Sequence, residues 1–158
     1  MTTDALTLTR TYAASPSQVW EMWTDASAFA GWYGPPGATL HVVTLDVRPG
    51  GRRLLSMTVS TPGGERTMWF AGEFLEVAVG SRLVYTDVMS DADGVPLSPA
   101  EAGMPDGHAM TTQVTVELTA QGDRTLVTVT HQGIAPDSPG ASGWQAALDK
   151  LEAALLVG

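Results

Sequence analysis

The feature that most constrains the fold is a change in the period of the apolar residues along the chain. From Leu40 to Gln132 they follow the two-residue repeat of β-strands, and short turns containing glycine or proline separate the strands. Beyond Gln132 an apolar stripe recurs at helical spacing, at Trp144, Leu148, Leu151 and Leu155. Strands joined by short turns predict an antiparallel meander, and the long amphipathic helix must bury its stripe against that sheet.

Seven strands are predicted, one of them ahead of the meander. They are Thr7–Tyr12, Leu40–Arg48, Arg53–Ser60, Arg66–Val77, Arg82–Met89, Met110–Ala120 and Thr125–Gln132. Gly80 and the pair Gly122-Asp123 are typical of hairpin turns. The segment Ser90–Gly107 is long for a loop in a compact domain, and it is interpreted either as a lid over a pocket or as a passive surface loop.

Two short helices are predicted between the first strand and the meander. Ser15 is a good N-cap for the first, Pro16 suits its first turn, and Gln18 completes a capping box. The second covers residues 27–34 and ends at a glycine–proline stretch. Ser142 is the predicted N-cap of the C-terminal helix.

The order of elements predicts an α+β fold in which a curved antiparallel sheet wraps around the long C-terminal helix. Because one helix cannot fill the whole concave face of such a sheet, a cavity is expected between them. The length of 158 residues suits one domain, residues 1–158.

Charge and motifs exclude several classes of function. The net charge is −9, Lys150 is the only lysine, and the arginines are dispersed, so a nucleic-acid or anionic-membrane partner is not expected. No apolar run is long enough for membrane insertion and no secretory signal is visible, which predicts a cytoplasmic location. Cysteine is absent, the histidines lack metal-ligand spacing, and no nucleotide-binding glycine motif occurs, so neither a metal nor a cofactor is predicted.

Seven segments, taken in order, resemble a known family. They are RTYAASPSQVWEMWTD, WYGPPG, DVRPGG, GEFLEVAVGSRLVYT, MPDGHAMTTQVTVEL, TVTHQG and GWQAALDKLEAAL. From about Thr7 to Leu156 the chain is similar to the SRPBCC (START-like) superfamily, in the branch named for the activator of heat-shock-protein-90 ATPase. The resemblance implies a helix-grip, Bet v-like fold with a deep pocket between the last helix and the sheet. Members of the superfamily bind lipids, sterols or polyketides, and some are cyclases or aromatases.

Candidate ligand contacts are the side chains on elements expected to border that pocket. They are Trp32, Met57, Trp69, Tyr85, Met110, Thr112, His131, Trp144 and Leu148. His131 shares a strand face with Val127 and Val129, which should point inward. It is either a pocket acid or base or, as we prefer, a hydrogen-bonded structural histidine.

Three hypotheses for function follow. The first is a non-catalytic domain that holds a small apolar molecule, such as a lipid or an aromatic or polyketide-like compound. The second is a cyclase, aromatase or hydrolase in which His131, Tyr85 or Glu73 transfers protons. The third is an interaction module that assists a chaperone, which predicts a large exposed apolar patch. Both a monomer and a homodimer are compatible with the sequence.

Overall fold

The computed structural model describes residues 5–34, 37–102, 111–134 and 136–157. These residues form seven strands and three helices. In chain order they are β1 (Ala5–Tyr12), α1 (Pro16–Thr24), α2 (Ala26–Ala30), β2 (Thr39–Leu45), β3 (Arg52–Thr61), β4 (Gly64–Ala78), β5 (Arg82–Ser90), β6 (Thr112–Gln121), β7 (Arg124–Gln132) and α3 (Pro139–Val157).

The strands form one antiparallel sheet in the order β1-β7-β6-β5-β4-β3-β2. The meander from β2 to β7 follows the sequence order, and β1 joins it beside β7. The predicted two-residue turn is confirmed, since Gln121 pairs with Arg124 across Gly122-Asp123. The expected helix-grip arrangement of a curved antiparallel sheet, a C-terminal helix and short helices after the first strand is therefore confirmed.

The predicted start of the first helix is also confirmed. Ser15 accepts a hydrogen bond from the backbone of Gln18, and the Gln18 side chain accepts one from the backbone of Ser15. The helix α2 is shorter than predicted, because its last residue is Ala30 and Gly31 is its C-cap.

The assignment of Ser142 as an N-cap is wrong. The helix α3 begins at Pro139, one turn earlier, so Ser142 lies inside it. The backbone N–H of Ala141 donates to the carbonyl of Ser138 at 3.0 Å, which starts the first turn there. Proline favours this position because its fixed φ suits a helix and its missing N–H has no partner to lose.

The core lies between the concave face of the sheet and the helices. Strands β6 and β7 present alternate buried side chains to it, namely Val114, Val116, Leu118, Val127 and Val129. The predicted stripe of α3 faces them: Trp144, Leu148 and Leu151 are buried, and Leu155 is half-buried against the same core. The Tyr12 hydroxyl donates to the carbonyl of Leu148 at 2.9 Å, which ties β1 to α3.

Replacing Leu151 by alanine should destabilise the protein strongly, because Leu151 is 0% exposed in the centre of this core. The expected loss in the free energy of unfolding is about 2–5 kcal/mol. Leu156→Ala is the matched control on the same helix, since Leu156 is 74% exposed, and its expected effect is below about 0.5 kcal/mol. Urea denaturation of both variants measures the difference. Equal losses would contradict the packing described here.

Candidate functional site

A cavity of about 440 Å³ opens between the N-terminal half of α3 and strands β3 and β4. Most of its lining is apolar, and one carboxylate and one imidazole reach it. The lining residues are Tyr33, Gly34, Met57, Met68, Phe70, Asp87, His131, Gly140, Gly143, Trp144 and Ala147. The pocket expected between helix and sheet is thus present among the described residues.

A second depression, of about 450 Å³, lies on the opposite face of the sheet. Its walls include Glu73, Thr86 and Val88, which alternate with the inward-facing residues of β4 and β5. Glu73 therefore does not reach the cavity under α3, which His131 lines. Its assignment as a proton donor in that cavity is wrong, because the strand alternation turns it outward.

His131 is held by hydrogen bonds at both ring nitrogens. Trp144 Nε1 donates to His131 Nδ1 at 2.8 Å, and His131 Nε2 lies 2.6 Å from Thr112 Oγ1. Because Nδ1 accepts, we assign the ring proton to Nε2, which donates to Thr112. The Thr112 hydroxyl in turn donates to the carbonyl of Asp87 at 3.2 Å. This chain links α3, β7, β6 and β5.

Burial keeps the His131 ring neutral. It lowers the pKa of His131 from 6.5 to about 4, because a charged imidazole would lose its hydration. A proton on Nδ1 would also meet the indole N–H that now donates to that atom. The arrangement agrees with the structural interpretation of this histidine, although its ring also forms part of the cavity wall.

A buried arginine lies behind the cavity wall. Arg53 is 2% exposed, and its guanidinium carbon lies 3.8 Å from the centre of the Tyr85 ring, a close cation–π contact. Its Nη1 lies 3.6 Å from Asp87 Oδ1, and neither Nη1 nor Nη2 has a hydrogen-bond partner among the described residues. Strand alternation places Arg53 on the concave face, opposite Gly72 of β4, which has no side chain.

Two tyrosine hydroxyls lie beside this ion pair. Tyr33 Oη and Tyr85 Oη are 3.2 Å apart. Burial raises the pKa of both phenols, and the nearby Arg53 charge opposes the rise. Burial likewise raises the pKa of Asp87, again against the attraction of Arg53. Both phenols are therefore neutral at pH 7.

Several residues predicted from sequence meet at the cavity. Met57, His131 and Trp144 line it, and Thr112 is joined to it through the His131 ring. Tyr85 lies behind Tyr33. Whether these residues contact a ligand remains a prediction.

The other predicted residues lie elsewhere. Trp32 is fully buried and its indole N–H donates to the Met22 carbonyl at 2.8 Å, so it belongs to the core. Leu148 is also sealed in the core, at 1% exposure. Trp69 lies between Met68 and Phe70 on β4, and since both of those line the cavity, alternation turns Trp69 to the outer face. Met110 lies outside the described residues, as does the end of the Ser90–Gly107 loop.

The sequence interpretation missed the polar groups of the site, Arg53, Asp87 and Tyr33. A signal for two of them was present. Asp87 is two residues from Tyr85 on β5, so the two side chains point to the same face of the sheet. For the same reason Arg53 shares a face with Leu55 and Met57 on β3. Residue type gave no such signal, because charged side chains are rarely buried unless they are paired.

Metal binding has no geometric support in the part of the chain that the structure describes. There, no three side chains of the metal-ligating types come together. None of the helices in the described ranges has the length and apolar character needed to cross a bilayer.

The sheet, the gripping helix and the cavity between them define a START-like helix-grip protein. The chain belongs to the family described as Activator of Hsp90 ATPase homolog 1-like protein, whose sequence profile matches residues 13–156. Proteins with this fold commonly bind hydrophobic ligands. No curated protein matches the chain significantly.

Solved structures of proteins from several bacteria show the same fold. A protein from Chromobacterium violaceum is 25% identical, with 96% of each chain covered and a TM-score of 0.78. One from Arthrobacter aurescens is 21% identical, with 98% of this chain and 87% of that chain covered and a TM-score of 0.79. The AHSA1 protein from Silicibacter pomeroyi is 19% identical, with 97% and 98% covered and a TM-score of 0.72.

The neutral His131 makes the stability of the protein depend on pH. Because its pKa is about 4 in the folded chain against 6.5 ordinarily, the unfolded chain binds more protons between these values. Stability from this residue is present above pH 6.5 and is lost as the pH falls towards 4, by up to about 3 kcal/mol.

Urea denaturation at pH 7, 6, 5 and 4.5 tests this dependence. His131→Gln should flatten the loss of stability over that range, because glutamine does not titrate. His41→Gln is the control, since His41 is exposed on β2, and it should leave the dependence unchanged. Identical pH profiles for the wild type and His131→Gln would refute the assignment.

Proposed function

We propose that the protein binds a small, mainly apolar molecule in the cavity under α3 and does not transform it. The observation that carries the proposal is a mostly apolar cavity of about 440 Å³. That volume lies in the range of roughly 300–1,000 Å³ typical of small-molecule sites. Protein interiors are otherwise packed as closely as organic crystals, so a space of this size is not ordinary core.

The chemistry of the walls suits a flat or flexible apolar ligand. Met57 and Met68 are adjacent across β3 and β4, and methionine adapts its shape and makes favourable contacts with aromatic rings. Phe70 and Trp144 add aromatic surfaces. The only hydrogen on the Trp144 indole nitrogen is donated to His131, so this ring offers the ligand its apolar face and edge.

Filling the cavity should abolish binding. Gly143 lies on α3 at the cavity wall, and a Cβ added there would meet no atom of another element within 4 Å, so Gly143→Phe has room to place its ring in the cavity. Ala153→Phe is the matched control, because Ala153 lies on an exposed face of the same helix. Calorimetric titration with naphthalene-sized apolar probes measures occupancy. Binding that survives in Gly143→Phe would place the ligand elsewhere.

A second candidate is proton-transfer chemistry in the same cavity. One observation favours it: the Asp87 carboxylate and the His131 ring both reach the cavity. Both His131 nitrogens are engaged, so Asp87 is the group that would act as a base. Native mass spectrometry of the protein isolated from its own host separates the candidates. A retained compound that is recovered unchanged after incubation supports binding alone.

The hypothesis of a chaperone-assisting module predicts a large exposed apolar patch. The large apolar residues that are exposed in the described part of the chain are distributed over separate segments. They are Val43, Leu75, Val79, Val95 and Leu156. The chaperone-assisting role therefore stays a prediction. Both a monomer and a homodimer stay compatible with the chain.

A further inference from the structure

Among the described side chains of the cavity wall, the Asp87 carboxylate is the acceptor with the least complete set of protein partners. The Asp87 side chain is 19% exposed and forms part of the cavity wall. Its partner among the described residues is Arg53, whose Nη1 lies 3.6 Å from Asp87 Oδ1, a longer contact than an ordinary charge-assisted hydrogen bond. A partly buried carboxylate with open acceptor positions is costly unless a donor reaches it.

Arg53 fixes the charge of this carboxylate. A guanidinium remains protonated at all ordinary pH values, and this one is buried among the rings of Phe29, Phe74 and Tyr85. Without an anion beside it, it would be an uncompensated buried charge, which is strongly destabilising. Asp87 is the acid that forms an ion pair with Arg53. Asp87 is thus an anion, and the pair is neutral as a unit.

The guanidinium itself is closed to a ligand. Both Nη1 and Nη2 are buried beneath other atoms, and Arg53 is absent from the cavity wall. An anionic group entering the cavity would meet the Asp87 carboxylate first and could not reach the arginine nitrogens.

The other polar side chains at the wall are hydrogen-bonded to protein groups. Trp144 donates to His131, His131 donates to Thr112, and Thr112 donates onward to the Asp87 carbonyl. The Tyr33 hydroxyl pairs with that of Tyr85. The Asp87 carboxylate is therefore the open acceptor of the cavity among the residues described.

We propose that the molecule held in this cavity carries an uncharged hydroxyl group, a phenol or an alcohol, which donates a hydrogen bond to the Asp87 carboxylate. The proposal rests on the binding function above and names its ligand class: an apolar hydroxyl compound rather than a carboxylic acid. The apolar walls hold the body of the ligand, and Asp87 fixes the orientation of its polar end.

Three probes that share one ring system test the donor directly on the wild-type protein. They are 2-naphthol, 2-methoxynaphthalene, which lacks the donor, and 2-naphthoate, which is an anion. At pH 7 we expect 2-naphthol to bind roughly 10- to 100-fold more tightly than 2-methoxynaphthalene, the usual range for a hydrogen bond to a charged group. We expect 2-naphthoate to bind most weakly. Calorimetric titration measures all three.

A variant then assigns the effect to Asp87. Asp87→Asn keeps the shape but removes the charge, so the preference for 2-naphthol should fall to roughly tenfold or less. Asp123→Asn, in the exposed turn between β6 and β7, is the control and should keep the wild-type preference. If Asp87→Asn does not fold, because Arg53 loses its counter-charge, the ligand series on the wild type decides the question alone.

The outcomes separate this inference from the proposed function. If no probe binds, or if binding persists in Gly143→Phe, the proposed function itself fails. If all three probes bind equally and Gly143→Phe abolishes binding, the cavity is a binding site but the hydroxyl inference is wrong. Tightest binding of 2-naphthoate would overturn it too, and would show that Arg53 becomes accessible.

Discussion

Covering the concave face of a seven-stranded sheet with one helix is the constraint on which the rest of this structure depends. The helix α3 has 19 residues and is therefore about 28 Å long, but a helix is only about 10 Å wide. Adjacent strands are about 4.8 Å apart, so a seven-stranded sheet is roughly 30 Å across before it curls. Curvature brings β1 and β7 onto α3, where Arg10, Tyr12 and His131 form hydrogen bonds with it.

The remaining width is covered by the short helices and the residues that follow them. Phe29, Trp32 and Tyr33 pack edge-to-face or tilted against one another and extend the apolar cover towards β3 and β4. Tyr33 also contacts Trp144 edge-to-face, and this contact joins the aromatic cluster that follows α2 to the helix α3. The cavity is the space that neither α3 nor this aromatic cluster fills. Its position follows from the distance between α3 and the far strands, not from any single residue.

Two buried polar groups show how such a core accommodates charge. The His131 ring avoids charge altogether, because its neighbours use both nitrogens and burial favours the neutral form. Arg53 cannot lose its charge, so aromatic faces and Asp87 balance it instead. The first group ties α3 to three strands. The second leaves a carboxylate exposed to the cavity, and this gives an otherwise apolar site a polar end.

The sequence by itself determined the elements and their order. Strand alternation, the capping box at Ser15 and the stripe from Trp144 to Leu155 are local patterns, and local patterns encode secondary structure. The strand parity of His131 also indicated correctly which way its side chain points. The resemblance over nearly the whole chain added the helix-grip arrangement, which the family match confirms.

Only the tertiary structure decided which of those side chains meet at the cavity. Trp32 and Leu148 are large apolar residues in segments that border the cavity, yet both are fully buried in the core. Arg53 and Asp87 are far apart in sequence and are charged, but the pairing of β3, β4 and β5 brings them together beneath the rings. Periodicity specifies the face on which a residue lies. How far that face lies from the opposing element depends on the curvature of the whole sheet, which no local pattern records.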